Sequence, residues 1–343
     1  MTTWGIHCNE PDVDFDAENV IAIGWDELGD LREIGDDREA LKARLAERYP
    51  NSKPGALAIW AGIARRFAYE MQPGDVVIHP IKKDSTVLIG RITGDYEWAQ
   101  NAPSFRHRRA VEWLVDQPIP RIEFSEAARF EIGSALTMFK VKNHSDEFLA
   151  RIGLAPSSPE FAAGTIPDDE VLADSEDALS AVRIQQDTSD FILARLLQAF
   201  SPREFEFFVS DLLNAAGYTA RATQESGDGG IDVIAHRDPL GLEPPVIKVQ
   251  VKRTTAPIGG PAVQQLTGAL ASGSNELGLF VTLGGFTKDA VHIERQRQDL
   301  RLVDGPALVE MLLDNYDRLP ANIRTKIPLT RVFAVDREAL SVS

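Results

Sequence analysis

The chain has 343 residues, 43% of them hydrophobic, a formal net charge of −16 and a single cysteine, Cys8. Such a length suits two domains rather than one. The charge disfavours a protein that coats nucleic acid, though phosphate binding needs only local positive potential, and basic stretches survive at Arg65-Arg66, Lys82-Lys83, Arg106 to Arg109 and Lys252-Arg253; one cysteine excludes both an intrachain disulfide framework and a cysteine-based zinc site.

No run of the sequence approaches the ~18 apolar residues of a membrane span. The start, MTTWGIHCNE, lacks the basic-then-apolar order of a secretory signal, so a cytoplasmic protein with no membrane partner is expected. In chain order, VIAIGW (20–25) reads as a strand, 36–49 as a helix stopped by Pro50, and 56–71 as a helix with Ile59, Ile63 and Phe67 at helical spacing. A turn at Pro73-Gly74-Asp75 leads to the apolar runs VVIHPI and TVLIGRI, a second turn at Gly94-Asp95 and the strand RAVEWLV. Short strands with flanking helices predict a small β-rich α+β domain, barrel-like, over 1–150.

Residues 151–190 read as an acidic linker. Glu160, Asp168, Asp169, Glu170, Asp174, Glu176 and Asp177 fall in its middle with no Lys or Arg among them, mixed with Pro, Ser and Gly. The next stretch, 191–320, is more regular. Ser201, Pro202 and Glu204 form a capping-box pattern ahead of a helix whose apolar face is Phe205, Phe208, Val209, Leu212, Leu213 and Ala216, stopped at Gly217. Strands at 218–223, 231–236 and 246–253 follow, then helix 261–272, strand 277–283, helix 287–296, strand 300–303 and helix 306–316. The order α-β-β-β-α-β-α-β-α implies an α/β mixed sheet with flanking helices. Residues 321–343 read as a tail.

The chemistry lies on strand 246–253. Its alternation puts Ile247, Val249 and Val251 on one face and Lys248, Gln250 and Lys252 on the other. Asp232 sits just after the turn Gly227-Asp228-Gly229-Gly230, between Ile231 and Val233, where a carboxylate is costly without a partner. A hard cation such as Mg²⁺ or Mn²⁺ takes oxygen ligands. Asp232 is the main candidate, with the Gln250 amide oxygen and the Val251 carbonyl as neutral ligands, and Lys252 placed to act on the attacking water or the developing charge. Glu206, beside the apolar stripe of its helix, is the candidate second carboxylate, and Gln264 and Gln265 are candidates to face phosphate. Taken singly, each has a plainer reading: a turn carboxylate for Asp232, a solvated lysine for Lys252, a helix-surface charge for Glu206, solvated amides for the glutamines. It is the joint arrangement that points to phosphodiester hydrolysis.

Four pieces in order, FEFFVSDLLNAAGY, SGDGGIDVIA, VQVKR and LGLFVTLGGFTKDA, resemble the Mrr branch of the PD-(D/E)xK nucleases over about residues 200–320. The resemblance implies a restriction endonuclease-like core and Mg²⁺-dependent cleavage of DNA. It places the family's active-site acid on Asp232, its Q/E-x-K pair on Gln250 and Lys252 and its helix glutamate on Glu206. Glutamine at 250, in place of the superfamily's usual second carboxylate, leaves less charge to hold two metals and favours one.

All five tryptophans fall within residues 1–113. Aromatics interleaved with cations suit a pocket that stacks on a base and holds phosphate, and Trp25, Tyr96, Trp98, Arg106, His107 and Arg109 are the candidate pocket residues. The plainer reading makes most of the aromatics core, and the spacing of His7, His79 and His107 fits no metal site. The run YEW…HRRAVEW is similar to PUA-like and EVE-like domains, some of which flip and read modified bases. The combined expectation is a restriction or phage-defence endonuclease directed to modified DNA by its first domain, working as a dimer on duplex DNA. Two other readings remain open: an effector nuclease released by a small nucleotide, and a DNA-binding protein with a degenerate nuclease fold.

Overall fold

The structure is a computed structural model, and it describes residues 1–7, 14–81, 84–134, 136–154, 181–223, 230–270 and 275–332. The chain divides into two compact units, with the main boundary between Ile184 and Gln185. Cys8, the Gly227–Gly229 part of the glycine turn and the acidic stretch 155–180 lie outside the described residues.

The first unit contains β1 (Thr3–Ile6), α1 (Phe15–Glu18), β2 (Val20–Ile23), α2 (Leu31–Ile34), α3 (Arg38–Arg48) and α4 (Pro54–Arg65), which runs on into a wider turn at Arg66–Glu70. β3 (Val76–Ile81), β4 (Thr86–Ile92), β5 (Glu97–Trp98), β6 (His107–Trp113), β7 (Ile119–Pro120), α5 (Glu126–Ile132), β8 (Met138–Lys140) and α6 (Ser145–Arg151) complete it. The strands pair in the order β2-β6-β4-β3-β1-β8, with β5 on β6 and β7 on β4; only β1 and β3 run parallel. Among the described residues this pairing is an open path, where the sequence suggested a small barrel. The alternation of β3 explains how both faces are buried. Val77 packs with Trp4, Ile23, Leu45 and Phe67 on one side, while Val76 and Ile78 pack with Ile89, Phe124 and Phe148 on the other.

The second unit begins with α7 (Ala181–Gln198), then α8 (Pro202–Ala215), β9 (Thr219–Ala222), β10 (Val233–His236), β11 (Val246–Lys252), α9 (Gly260–Gly268), β12 (Glu276–Thr282), α10 (Lys288–Arg295), β13 (Leu300–Val303), α11 (Gly305–Asn315) and α12 (Ala321–Lys326). From α8 to α11 the order is the one the sequence pattern predicts. The sheet runs β13-β12-β11-β10-β9, parallel from β11 to β13 and antiparallel from β9 to β11. The central strand β11 thus joins an antiparallel hairpin to a parallel crossover, and its carboxyl end, with Gln250 and Lys252, lies beyond the last paired residue of β10.

Two segments differ from the sequence reading. Residues 181–190, assigned to the linker, are the first half of α7, whose Ile192, Leu193 and Leu196 are buried. Residues 321–326, assigned to the tail, form α12, held by buried Ile323 and Ile327 and by the Arg195 Nε donor on the Lys326 carbonyl at 2.8 Å. No helix among the described residues is long and apolar enough to cross a membrane.

Candidate active site

Helix α8 starts as its sequence dictates. The Ser201 hydroxyl accepts from the Glu204 N–H while the Glu204 carboxylate accepts from the Ser201 N–H. Phe205, Phe208, Leu212 and Leu213 are buried, fixing the rotation of the helix and leaving Arg203, Glu206 and Phe207 on its outer flanks.

Across the sheet, Asp232 directly precedes β10. Its N–H donates to the Val249 carbonyl at 2.8 Å, and its carboxylate Oδ2 accepts from the Val251 N–H at 2.7 Å. The carboxylate therefore lies over the backbone between Gln250 and Lys252. A strand residue directs its N–H and C=O to the same edge, so the Val251 carbonyl points to the Asp232 side as well. Burial pushes the Asp232 carboxyl above its ordinary range, while the Val251 N–H and the charges of Lys252 and Arg203 pull it back.

Gln250 is 3% exposed and its Oε1 has no hydrogen-bond partner among the described residues. An unsatisfied buried acceptor costs about 1–3 kcal/mol. Its amide lies beside Gly230, two residues before Asp232. A Cβ at 230 would stand 3.3 Å from Gln250 Nε2 and 3.7 Å from Gln265 Nε2, and the φ of +88° at Gly230 favours glycine there. Gln265 thus borders the site with its side chain exposed, and Gln264 is exposed on the same helix. Lys252 is exposed and makes no hydrogen bond or ion pair among the described residues.

Glu206 lies on α8, whereas Asp232, Gln250 and Lys252 lie at the ends of β10 and β11. Its carboxylate pairs with the Arg203 guanidinium, which the sequence reading did not single out. The other amino group of Arg203 donates to the Thr223 carbonyl at 2.5 Å. Thr223 in turn donates its N–H to the Asp232 carbonyl at 2.9 Å and its hydroxyl to the Ile231 carbonyl at 2.7 Å. Among the described residues no three His, Cys, Asp or Glu side chains gather as a cation site. A hard cation here would rest on one carboxylate, the orphaned Gln250 oxygen and a backbone carbonyl, a donor set that suits Mg²⁺ or Mn²⁺.

In the first unit the six candidate pocket residues separate. Arg109 is 2% exposed, and its guanidinium donates to the carbonyls of Phe67, Ala68 and Gly94 at 2.7, 3.0 and 3.1 Å. It is tied to the turn that follows α4 and is buried away from solvent and any phosphate, which corrects its assignment to the pocket. His107 is fully buried between the Tyr96 hydroxyl at 2.9 Å and the Trp25 carbonyl at 3.2 Å. Burial holds its pKa below the ordinary value. Tyr96 is buried too, its hydroxyl accepting from the Leu31 N–H at 3.1 Å. Both are core rather than pocket groups. His7 and His79 are likewise buried. Trp25, Trp98 and Arg106 stay half-exposed, with Trp25 5.7 Å from Trp60, Trp98 4.9 Å from His107 and the Arg106 guanidinium 5.8 Å from the Trp98 ring.

Removing Arg109 takes its donors from the Phe67, Ala68 and Gly94 carbonyls. Arg109→Ala is expected to destabilise this unit by about 3–5 kcal/mol, measured as a lower urea midpoint. A stability within error of the wild type would return Arg109 to the surface.

Residues 197–312 match a restriction endonuclease family, Mrr_cat, and residues 7–138 match a domain of unknown function, DUF8426. The type IV methyl-directed restriction enzyme EcoKMrr of Escherichia coli (strain K12) is 32% identical over 210 residues, 60% of this chain and 65% of that enzyme. The matched part thus spans a little under two thirds of that relative. Two solved structures are also similar. The DNA modification-dependent restriction endonuclease AspBHI has a TM-score of 0.34 at 17% identity, over 80% of this chain and 72% of that one. The MspJI restriction endonuclease in complex with a 27-mer oligonucleotide has 0.33 at 14%, over 85% and 73%. The Mrr_cat match runs from the end of α7 to α11 and contains Asp232, Gln250 and Lys252, so residues 197–312 are similar to that restriction endonuclease family.

Proposed function

We propose that the chain is a divalent-metal-dependent DNA endonuclease of the restriction type, with its site at Asp232, Gln250, Val251 and Lys252. The observation that carries this reading is the buried Gln250 Oε1, without a hydrogen-bond partner among the described residues, near a half-buried carboxylate clamped by the Val251 N–H. Together with the Val251 carbonyl, these oxygens would hold one Mg²⁺ or Mn²⁺. Such a cation, when bound, makes water more acidic and offsets the charge on the attacked phosphate. The Val251 N–H fixes Asp232 in one orientation. The buried Gln250 amide closes the inner wall against solvent, and the exposed Lys252 ammonium donates to a phosphate oxygen or orients the incoming water. The test is cleavage of plasmid DNA with Mg²⁺ and with EDTA, by wild type and by Asp232→Asn.

The first unit is proposed to direct cutting to modified bases, a reading supported by the methyl-directed description of EcoKMrr. It also rests on the half-exposed Trp25, Trp98 and Arg106 and on two non-glycine residues in left-handed backbone conformations, Trp25 (φ +67°) and Phe105 (φ +52°). Bulky side chains adopt that region at a cost, which is seen where a site needs a fixed shape. Trp98→Ala and Arg106→Ala are each expected to weaken binding of a modified-base oligonucleotide by about 1–3 kcal/mol, read in a Lys252→Met background by fluorescence anisotropy. Unchanged affinity in both variants would remove the pocket assignment; loss of binding to a free nucleotide instead would favour the nucleotide-released effector.

A further inference from the structure

Resting on that reading, we propose that Arg203 is the fixed second cation of the site, so that the centre takes one divalent ion and Glu206 anchors the arginine instead of ligating metal.

Three restraints hold the guanidinium. Glu206 pairs with it from one turn along α8, the Thr223 carbonyl accepts at 2.5 Å, and the ring of Phe207 lies 4.7 Å beneath it. Phe207 is 49% exposed while Phe205 and Phe208 on the same helix are fully buried, and a platform for a cation accounts for its place outside the core. Thr223 is bonded to both Ile231 and Asp232, so Arg203 ties α8 to the chain that delivers the carboxylate. The guanidinium thus pairs with Glu206 and is tied through Thr223 to the chain end that carries Asp232. With an amide at 250, the site lacks the negative charge to hold two divalent ions, and a guanidinium cannot lose its proton under working conditions. Arg203 is a positioning residue: it holds the Asp232 strand end and presents charge beside it.

The test counts ions without requiring turnover. Mn²⁺ binding to the full chain, followed by electron paramagnetic resonance, is expected to saturate at one ion per chain. Glu206→Gln should leave the dissociation constant within about twofold of the wild type, whereas Asp232→Asn should abolish binding. Arg203→Met should bind Mn²⁺ about threefold or more tightly, because a competing cation is gone, yet lose about 10²-fold in kcat with KM little changed. Arg203→Lys should recover part of that loss. A role confined to folding would weaken ion binding and cleavage together, and that result overturns the proposal. So does binding of two ions by the wild type, or loss of binding in Glu206→Gln to the extent seen in Asp232→Asn. If the wild type binds no Mn²⁺, the nuclease reading itself fails, and this inference with it.

Discussion

Asp232→Asn is expected to abolish DNA cleavage, with a loss on the order of 10³-fold or more, and at the same time to make the metal-free protein more stable at neutral pH. The two effects share one cause. The substitute amide can still accept from the Val251 N–H, which now reaches Asp232 Oδ2 at 2.7 Å, so the local geometry survives while the charge is lost. Burial raises the Asp232 pKa in the folded protein, which therefore holds this proton more tightly than the unfolded chain does. Stability consequently falls as pH rises from the ordinary carboxylate range through the raised value, and above it the full cost of the buried charge is present. The variant escapes that cost. In EDTA its thermal midpoint should exceed the wild type's at neutral pH, and the difference should shrink in acid, where both side chains are neutral. A variant less stable than the wild type at neutral pH would mean that Asp232 serves the fold and not a cation.

Lys252 predicts the opposite combination. It is exposed and makes no hydrogen bond or ion pair among the described residues, so Lys252→Met should change stability by no more than about 0.5 kcal/mol. Cleavage should nevertheless fall by about 10²–10⁴-fold, with DNA affinity nearly unchanged, because one charge among many backbone contacts contributes little to binding and much to a single developing charge. Lys252→Arg keeps the charge and should restore part of the rate. Single-turnover cleavage beside thermal denaturation checks both halves. A variant that cuts at the wild-type rate would show that its ammonium is only a solvated surface charge.

The second unit was legible in the sequence because its signals are local. The capping box at Ser201, the strict alternation of residues 246–252 and the glycines before Asp232 each act over a few positions, and the element order follows from them. What stayed hidden depends on distant partners. Arg203 acquires its role from the Thr223 carbonyl, twenty positions on, and no spacing rule announces that bond. Helix α7 was lost because it directly follows the acidic stretch and its first half carries few apolar residues. The inward position of Arg109 and His107, by contrast, is written in the sequence. In β6 both alternate in phase with Val111, and all three are buried while Ala110 and Glu112 are exposed. The strand period that located Gln250 and Lys252 would also have turned these two inward. Composition favours an aromatic and cationic pocket; alternation places His107 and Arg109 in the core.

Glu206 marks the boundary between motif and mechanism. The helix pattern put it at the edge of the apolar stripe, and it stands there, but its carboxylate is taken up by Arg203. A motif locates a residue along the chain; its neighbours decide what its charge is used for.

The most direct test of the account incubates the purified chain with plasmid DNA carrying modified cytosines or none, in Mg²⁺, in Mn²⁺ and in EDTA, with Asp232→Asn beside the wild type. Nicked or linear product is expected from modified DNA with either cation, none in EDTA and none from the variant. DNA that is bound but left intact with both cations, in every modification state, would contradict it and leave a nuclease fold that serves only to bind.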